Sequence, residues 1–556
     1  MRRVLRVLLA LLAMSLIVAA LGQSSASAGN GKPRAHPPKK VVIIVVDALS
    51  REIVEKYRLR NVQALMRDGA DSPNGYLGHL GSVTVVTHNV LTTGALPKNM
   101  GWTDEGYRDV DHLLADQKDP DVVGGHDMWL TSNFGAEQMA PLQEAAGYPK
   151  LADYLHAARP GSEVVAISPK SYAGWGLAGG STDRMITFSG RSFDCDGVVE
   201  GTDNTWRGPA GKNVPAYLSS PQCGRFYVDS DSKEKYDTGI SPAWLYPLDK
   251  NRYTVGFDKA HEGGDVWAAD AAIATMENEK KWSGVFVTLP GVDKAAHMWG
   301  SIDDPGGSVP MTHLKASAEV ADQQVGRIIS YLRTSHQLDD TLVVLTADHG
   351  SVPGRHFHGV NADGQGFYNW YYGTLENDEY LDPQPALQPL VDTDNLAMSY
   401  SDSMVRAWLI NQSPARVQQA VNVMAQMPDV SAVWKRQGTH FVRATPVRWD
   451  RMPSKGERAW FKAHAQELLD TTAAKHGADV IATLIDDTTY SVAGDHGGIQ
   501  RRAQQIPIVF AGAGVGSRDL RGGVRSVDIM PTILEAMQIP ATHRLDGRAY
   551  QLPTQH

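Results

Sequence analysis

Residues 39–49 read KKVVIIVVDAL, a run of β-branched apolar residues that ends at Asp47. A strand that is apolar at every position is buried on both faces, which is typical of the centre of a parallel sheet. Four later stretches have the same character, at residues 162–169, 282–293, 341–350 and 505–514. The sequence therefore predicts one large sheet whose inner strands come from most of the length of the chain.

Helical patterns lie between these strands, for example at residues 265–279 and 313–334. Strands that alternate with helices, joined by right-handed crossovers, form a doubly wound sheet. We therefore expect an α/β fold built on a doubly wound, mostly parallel sheet.

Two stretches interrupt this alternation. Residues 187–262 are rich in Gly, Ser, Asp and Pro and contain both cysteines. Residues 355–490 begin as a polar, aromatic loop and continue with a second alternation of strands and helices. We predict a main domain of residues 39–354 and 491–553, which carries the first stretch as a loop insertion and the second as an inserted smaller α/β lobe.

The first 28 residues differ from the rest of the chain. They contain three arginines and no acidic residue, then an apolar core, then Ala26-Ser27-Ala28. This order is typical of a secretory signal cleaved after Ala28, the alternative being an uncleaved membrane anchor. Residues 29–38 would follow as a linker. No later stretch approaches 18 apolar residues, so we expect a secreted protein that has no membrane contact after cleavage.

Charge and cysteine content narrow the function further. The 556 residues carry a formal net charge of −9, which becomes about −12 once the signal is removed. A mildly acidic surface argues against nucleic acid as a partner, because a phosphate backbone needs basic patches. The two cysteines are Cys195 and Cys223. In an exported protein we predict that they form a disulfide, the alternative being two unpaired thiols.

Acidic residues and histidines follow the predicted strands at the point where each strand ends. They are Asp47, then Asp293 and His297 in GVDKAAH, then Asp348 and His349 in TADHG, with His496 added by a second Asp-His-Gly triplet near the C-terminus. Because ligands gather at the carboxyl ends of parallel strands, we expect these side chains at one edge of the sheet.

Such a cluster predicts bound metal. Crowded carboxylates repel one another, and partly buried charge is costly without compensation. Divalent cations supply that compensation, and carboxylate with imidazole suits Zn²⁺ in particular. Several ligands of each kind predict two Zn²⁺ ions sharing one site, with other divalent metals as the alternative. The alternatives for single residues are that Asp47 caps a helix and that Asp293 and His297 form a surface pair.

A nucleophile is expected at the same edge. After Asp47 the chain contains TVVTHNVLTTG, in which residues 88–94 read as a short helix closed near Gly94. Thr84 lies just upstream, where helix N-terminal amides favour anions. A divalent cation would lower the pKa of its hydroxyl and make an alkoxide available. Ser82 and Thr87 are the competing hydroxyls, and His88 is expected to support the structure rather than bind metal.

Taken in order, the motifs VVDAL, TVVTHNVLTTG, DKAAH, TADHG and a late DHGG resemble the alkaline phosphatase superfamily. Within it, they look most like the type I phosphodiesterase/nucleotide pyrophosphatase branch. The resemblance covers nearly all of residues 40–550 outside the two insertions, and it implies an alkaline phosphatase-like fold in which Thr84 forms a phospho-enzyme. It also implies one zinc ion bound by Asp47, Asp348 and His349 in contact with Thr84, and a second bound by Asp293, His297 and His496.

The chain departs from this branch at two positions. The branch has Lys before the nucleophile and Asn three residues after it, where the Asn donates to a phosphate oxygen. Here Val83 and Thr87 stand at these positions, and Asn89 lies two residues further on. The donor to the phosphate oxygen, Thr87 or Asn89, therefore stays open, as does the preference for diesters or monoesters.

The expected function is that of a secreted, zinc-dependent phosphodiesterase or nucleotide pyrophosphatase acting on a small phosphate diester or nucleotide-like substrate. The first alternative is a phosphomonoesterase on the same scaffold, which would need a further cationic side chain that no motif locates. A sulfatase is disfavoured because neither cysteine stands in C/S-x-P-x-R. An inactive secreted binding protein is disfavoured because all six metal ligands are kept together with a nucleophile.

Three further features have two interpretations each. Asp495 is either a metal ligand or, as we favour, a supporting or exposed residue. His356 and His358 form a third metal site or, as we favour, belong to a loop at the rim of the site. The aromatic loop stacks an aromatic leaving group or, as we slightly favour, anchors the inserted lobe; its residues are Phe367, Trp370, Tyr371 and Tyr372.

Overall fold

The computed structural model describes residues 36–115, 125–131, 134, 136–188, 204–207, 217, 263–304, 307–358, 369–371, 384–491 and 494–554. Several predicted features lie outside these residues: the signal segment, residues 29–35 of the linker, Cys195, Cys223, Phe367, Tyr372 and most of the 187–262 insertion. The cleavage site and the disulfide therefore stay predictions.

The strands of the described part are β1 (Lys40–Val46), β2 (Ala70–Asp71), β3 (Gly106–Arg108), β4 (Met128–Leu130), β5 (Glu163–Ser168), β6 (Arg184–Phe188), β7 (Asn204–Arg207), β8 (Trp282–Leu289), β9 (Thr341–Thr346), β10 (His356–Phe357), β11 (Asn369–Tyr371), β12 (Leu396–Ser401), β13 (Met404–Leu409), β14 (Val430–Gln437), β15 (His440–Arg443), β16 (Val480–Leu484), β17 (Thr488–Thr489), β18 (Ile508–Gly512) and β19 (Arg518–Asp519).

The α-helices of the described part are α1 (Arg51–Tyr57), α2 (Arg60–Asp68), α3 (Thr84–Thr93), α4 (Pro97–Met100), α5 (Ala136–Ala146), α6 (Leu151–Ala158), α7 (Ser171–Ala178), α8 (Gly263–Asn278), α9 (Gly291–Trp299), α10 (Ser308–Thr334), α11 (Gln388–Val391), α12 (Pro414–Met424), α13 (Lys455–Asp470), α14 (Arg501–Gln504) and α15 (Ile529–Met537). Among the described residues, no helix combines the length and the apolar character needed to cross a membrane.

The central strand of the main sheet is β1, as its apolar run predicts. The main sheet has the order β19-β2-β18-β9-β1-β8-β5-β6-β7, and β9, β1, β8, β5 and β6 run parallel to one another. Residues 41–46 of β1 have no exposed surface, and burying each such aliphatic side chain contributes about 1.5–3 kcal/mol. The predicted α/β fold with a mostly parallel sheet is confirmed.

One predicted inner strand runs in the opposite direction. The apolar run at residues 505–514 forms β18, which is buried but pairs antiparallel with β9 and with β2. A fully apolar run shows that a strand is covered on both faces, and this property does not depend on strand direction. The sequence pattern therefore identified the strand without showing its direction.

A second sheet is built between the two Asp-His-Gly triplets. It has the order β11-β12-β13-β16-β14-β15, and all of its pairings are antiparallel. Its hydrophobic cluster also includes Leu80, Met128 and Leu130, which come from earlier in the chain. The boundaries of a lobe at residues 355–490 stay a prediction.

Candidate active site

The carboxyl ends of β1 and β9 place two carboxylates side by side. Val45 lies beside Thr346 in the parallel register, and Asp47 and Asp348 each follow two residues later. After Asp47 the chain turns at Ala48, whose φ of 58° lies in the left-handed region, an unfavourable conformation for a residue with a side chain. The Ala48 N–H donates to Asp348 Oδ1 over 3.2 Å, so this strained turn holds the two strand ends together.

His349 completes the first predicted metal set. Its Nδ1 lies 3.0 Å from the Gly350 carbonyl oxygen; because a carbonyl only accepts, Nδ1 carries the proton and Nε2 presents a lone pair. Nε2 is 3.4 Å from Asp47 Oδ1 and 3.5 Å from Asp348 Oδ2. One ligand atom from each of Asp47, Asp348 and His349 lies within 4.8 Å of the other two.

Helix α9 and a late loop bring Asp293, His297 and His496 near one another, although these three are not among the groups of described residues whose ligand atoms all lie within 4.8 Å of one another. Asp293 lies in the first turn of α9 and His297 one turn later, so both side chains point from the same helix face. His297 Nε2 is 3.2 Å from Asp293 Oδ1, and His496 Nε2 is 3.7 Å from the same oxygen. The helix begins directly after β8, which explains why its first turn reaches the same edge of the sheet as Asp47.

The two predicted sets meet at a pair of stacked imidazole rings, one from each set. The rings of His349 and His496 stack with their centroids 3.5 Å apart. Ligand atoms of Asp293, His349 and His496 also lie within 4.8 Å of one another. His496 Nδ1 lies 2.9 Å from the Ser82 carbonyl oxygen, which again leaves Nε2 as the nitrogen with a lone pair.

The donor atoms fit divalent cations. The three carboxylates are at most 1% exposed, and Asp47 Oδ1 and Asp348 Oδ2 accept no hydrogen bond from the described residues. Buried carboxylate oxygens without donors are costly, and carboxylate with imidazole is a donor set that Zn²⁺ takes readily. These residues could therefore hold metal ions.

Burial and mutual repulsion control the charge of the site. Burial, together with the Asp293 and Asp348 carboxylates, raises the pKa of Asp47 well above its usual range. Burial also acts to raise the pKa of Asp293, but His297 and Lys170 outweigh it and hold that pKa well below the usual range. Burial, reinforced by His349, holds the pKa of His496 well below its usual range. Its imidazole is therefore neutral, the form that binds a cation.

Thr84 is the first residue of helix α3. The helix starts there rather than at residue 88 as predicted, and it ends before Gly94, whose φ is 63°. All ten residues of α3 are buried, so the helix has no polar face and its periodicity in the sequence is weak. Thr84 Oγ1 lies 3.3 Å from His349 Nε2, which brings the predicted nucleophile to the first metal set.

Comparison with known proteins places this site in a family. The family model described as type I phosphodiesterase/nucleotide pyrophosphatase matches residues 41–498, a range that includes both predicted metal sets and Thr84. The chain belongs to this family. It is a phosphoric ester hydrolase, as the ordered motifs predicted.

Two relatives of this family member align over nearly its whole length. It is 25% identical to alkaline phosphatase PhoD of Zymomonas mobilis subsp. mobilis (strain ATCC 31821 / ZM4 / CP4), over 94% of this chain and 90% of the relative. It is 22% identical to alkaline phosphatase PhoK of Sphingomonas sp, over 93% of this chain and 92% of the relative.

Solved structures show the same fold. Wild-type alkaline phosphatase PafA matches this phosphodiesterase-family chain with a TM-score of 0.58 at 14% identity, over 94% of this chain and 99% of that one. An inactive form of murine ectonucleotide pyrophosphatase/phosphodiesterase 5, in complex with AMP, matches with a TM-score of 0.51 at 10% identity, over 91% and 96%. These likenesses show that the fold is alkaline phosphatase-like, with its large and mostly parallel central sheet.

The motifs of this family member did not reveal one charged residue of the site. Lys170 stands at the N-cap position of α7 and is 4% exposed. Its Nζ lies 2.5 Å from Asp47 Oδ2 and 2.6 Å from Asp293 Oδ2, so it joins one carboxylate from each metal set. Lys170 follows β5 by two residues, and the rule that led to the other residues at strand ends would have found it there.

Several other predicted residues are engaged elsewhere. Asn89 Nδ2 donates to the Val85 carbonyl oxygen over 2.9 Å, and its Oδ1 accepts from Lys150 Nζ over 2.8 Å. Thr87 Oγ1 lies 3.5 Å from His79 Nε2. His88 Nδ1 lies 2.7 Å from the Thr84 carbonyl oxygen, a supporting contact of the kind predicted for it.

The other residues with two interpretations lie in three different parts of the fold. Asp495 has no exposed surface, so the exposed position considered for it is wrong. His358 Nε2 lies 2.8 Å and His356 Nδ1 lies 3.7 Å from one Asp429 oxygen. These three residues are not among the described groups that could hold a metal ion. Trp370 and Tyr371 lie in β11, which places their backbone at an edge of the second sheet.

The second sheet reaches the site through the turn between β12 and β13. The Ser403 N–H donates to the His496 carbonyl oxygen over 3.0 Å. A Cβ at Gly497 would lie 2.1 Å from Asp402 Oδ2, so only glycine permits this approach. Asp402 in turn pairs with the buried Arg406 over 2.7 Å. The turn therefore supports the loop that presents His496.

Proposed function

We propose that the chain hydrolyses phosphoric esters by transferring the phosphoryl group first to Thr84 and then to water. Two divalent cations, Zn²⁺ in the first place, would be held by Asp47, Asp348 and His349 and by Asp293, His297 and His496. The observation that carries the proposal is the contact of the buried Thr84 hydroxyl with His349 Nε2 at 3.3 Å. This contact places the proposed nucleophile beside the stacked rings of His349 and His496, one from each ligand set.

The residues of the chain account for binding and attack. When bound, the cations would lower the pKa of the Thr84 hydroxyl and offset the charge of the phosphate. Thr84 Oγ1 forms a bond to phosphorus while the bond to the leaving-group oxygen breaks. Water then cleaves the phosphothreonine, releasing phosphate and restoring the hydroxyl. The free amides in the first turn of α3 favour the anionic group at this position.

Lys170 favours phosphomonoesters as the substrate class. A monoester phosphoryl group carries two negative charges and a diester carries one, so a monoesterase benefits from a further cation. The buried ammonium of Lys170, within 2.6 Å of a carboxylate from each metal set, is such a cation. The names of the two relatives, both alkaline phosphatases, support the same class. We propose a small, nucleotide-like phosphomonoester as the preferred substrate.

A phosphodiester is the second candidate. It is the substrate class that the sequence motifs predict first, and the description of the matching family model supports it. The chemistry at Thr84 would be the same, with one more substituent on the phosphoryl group.

We also propose that residues 1–28 direct export and are removed. Sequencing of the N-terminus of the mature protein would test this, with Gly29 as the expected first residue.

Hydrolysis of p-nitrophenyl phosphate and bis-p-nitrophenyl phosphate, with and without EDTA, separates these proposals. We expect faster turnover of the monoester, loss of activity with EDTA and recovery with Zn²⁺. Thr84→Ala should lower kcat at least about 1,000-fold, as loss of a nucleophile does in other hydrolases. Thr93→Ala is the matched control, because it removes the same atoms from the last residue of the same helix.

Two results would contradict the mechanism. Activity that survives exhaustive chelation would rule out the cations, and unchanged turnover by Thr84→Ala would rule out the nucleophile. A clear preference for the diester would favour the second candidate and leave both of these conclusions in place.

A further inference from the structure

The two Asp-His-Gly triplets have the same local structure. In the first, the His349 N–H donates to Asp348 Oδ1 over 3.0 Å; in the second, the His496 N–H donates to Asp495 Oδ1 over 2.8 Å. In both triplets the histidine Nδ1 bonds to a carbonyl oxygen, which leaves Nε2 with its lone pair. In both, Oδ2 of the aspartate is buried.

Asp495 lies within reach of the second metal set. One ligand atom from each of His297, Asp495 and His496 lies within 4.8 Å of the other two. The preceding Gly494 has a φ of 77°, and a Cβ there would lie 2.0 Å from the Ala296 carbonyl oxygen. The loop therefore packs directly on the helix that carries His297, an approach that only glycine permits.

No cationic side chain of the described residues compensates Asp495. The buried Arg406, which pairs with Asp402, also pairs with Asp104, and no ion pair to Asp495 is formed by the described residues. A carboxylate without exposed surface and without such a partner is costly unless a bound cation compensates it. In the first triplet, the equivalent oxygen of Asp348 faces the lone pair of His349 at 3.5 Å, inside a ligand set.

We propose that Asp495 is a ligand of the second cation, alongside Asp293, His297 and His496. This inference rests on the proposed function, from which it takes the position of that cation. Each cation would then be bound by two carboxylates, which balances the charge between the two halves of the site. Zinc in catalytic sites can expand to five ligands, so a phosphoryl oxygen still has a position on this cation.

A thiol at position 495 tests direct ligation. Wild type, Asp495→Cys and the control Ser403→Cys are stripped of metal and reloaded with Co²⁺, and their absorption spectra are recorded. Ser403 is buried and its hydroxyl donates to the Gly497 carbonyl oxygen, so the control places a thiol beside the same triplet but outside the ligand sets. Because thiolate is a strong ligand for such ions, Asp495→Cys should show a thiolate-to-cobalt charge-transfer band that the other two proteins lack.

The outcomes separate this inference from the function on which it rests. A folded Asp495→Cys that binds two Co²⁺ ions and has the spectrum of the wild type would overturn the inference alone. A wild type that binds fewer than two Co²⁺ ions would overturn the proposed two-cation site itself.

A second variant covers the case in which Asp495→Cys does not fold. Asp495→Asn keeps the shape of the side chain and removes its charge, and Asp348→Asn does the same in the first triplet. Each should weaken the binding of one of the two ions at least about tenfold in a competition assay with a chelator. If Asp495→Asn bound both ions as tightly as the wild type, the inference would be wrong.

Discussion

At the scale of single residues, the charge of Lys170 has the greatest bearing on the substrate. Its ammonium lies 2.5 Å from Asp47 and 2.6 Å from Asp293, each of which belongs to a different ligand set. Once cations compensate these carboxylates, the oxygens of a phosphate dianion are the natural partners for the ammonium. The same residue therefore stabilises the carboxylates without metal and would bind substrate with it.

The Lys170→Gln variant tests this role. Loss of a hydrogen bond to a charged group costs about 1.5–3 kcal/mol, so kcat/KM for p-nitrophenyl phosphate should fall roughly 10- to 100-fold. The fall for bis-p-nitrophenyl phosphate should be smaller, because the diester lacks the second charge. Lys475→Gln is the control, since the Lys475 side chain is 60% exposed and pairs with Asp111. Equal losses for both esters would show that Lys170 only supports the structure.

The residues at strand ends could be predicted, and residues that depend on tertiary contacts could not. Asp47, Asp293 and Asp348 follow strands that are recognisable from their apolar runs. The place of Asp495 depends on the contact of Gly494 with Ala296 across about 200 residues of sequence, which no local pattern contains.

At the scale of elements, Lys150 connects α3, which begins with the proposed nucleophile Thr84, to α7, the helix that follows Lys170. Its Nζ donates to Asn89 Oδ1 over 2.8 Å and to Thr92 Oγ1 over 3.2 Å, both on α3. It also donates to the Gly176 carbonyl oxygen of α7 over 2.5 Å. This lysine therefore helps to hold α3 at a constant distance from α7.

The pH dependence of stability should reveal Lys150. Burial lowers its pKa to about 7 in the folded protein, although Asp153 opposes the shift, whereas the unfolded chain keeps the ordinary value of about 10.4. Between these values the unfolded state binds more protons, so the free energy of unfolding rises with pH by up to about 1.4 kcal/mol per unit from this group. Below about pH 7 both states are protonated and the contribution is constant.

Denaturant unfolding at pH 7 and pH 9 checks this expectation. The difference in unfolding free energy between wild type and Lys150→Met should change with pH, in the direction that favours the wild type at pH 9. The difference for the exposed Lys475→Met should not change. Parallel pH profiles for wild type and Lys150→Met would contradict the account.

Strands with a continuous apolar run can be predicted from the sequence. Helix starts and strand directions that depend on packing against other elements cannot. The strands β1, β5, β8 and β9 lie within their predicted runs, because continuous burial leaves a clear apolar signature. The sequence pattern predicts the start of α3 four residues too late, because this helix is buried on all sides and has no polar face. The sequence does not show the direction of β18, because burial determines the composition of a strand and not the direction in which it runs.

At the scale of the whole molecule, the two triplets meet although they follow different sheets: the Val352 N–H, just after the first triplet, donates to the Asp495 carbonyl oxygen of the second over 2.8 Å. The first triplet follows β9, and the chain then builds the second sheet before it returns with the second triplet. The turn at Ser403 brings the second sheet against His496. The second sheet, built from the region between the triplets, therefore supports the loop that carries His496.

Removal of metal should lower the stability of the whole protein. Asp47, Asp293 and Asp348 are at most 1% exposed, and without cations the single ammonium of Lys170 offsets only part of their mutual repulsion. A ligand that binds only the folded state stabilises it by about 2.7 kcal/mol at 100 times its Kd. Two equivalents of Zn²⁺ should therefore raise the Tm of the stripped protein by several degrees in calorimetry. The same Tm with and without Zn²⁺ would contradict a buried two-cation site.

The central claim is that Thr84 carries the phosphoryl group during turnover. The most direct test is acid quenching of the enzyme during hydrolysis of p-nitrophenyl phosphate, followed by mass spectrometry of the peptide that contains Thr84. We expect one phosphoryl group on Thr84, absent after chelation and absent from Thr84→Ala. A phosphoryl group on a residue other than Thr84 would contradict this expectation. So would the absence of any phosphoryl group from enzyme that is quenched during turnover, on a timescale shorter than the lifetime of the intermediate.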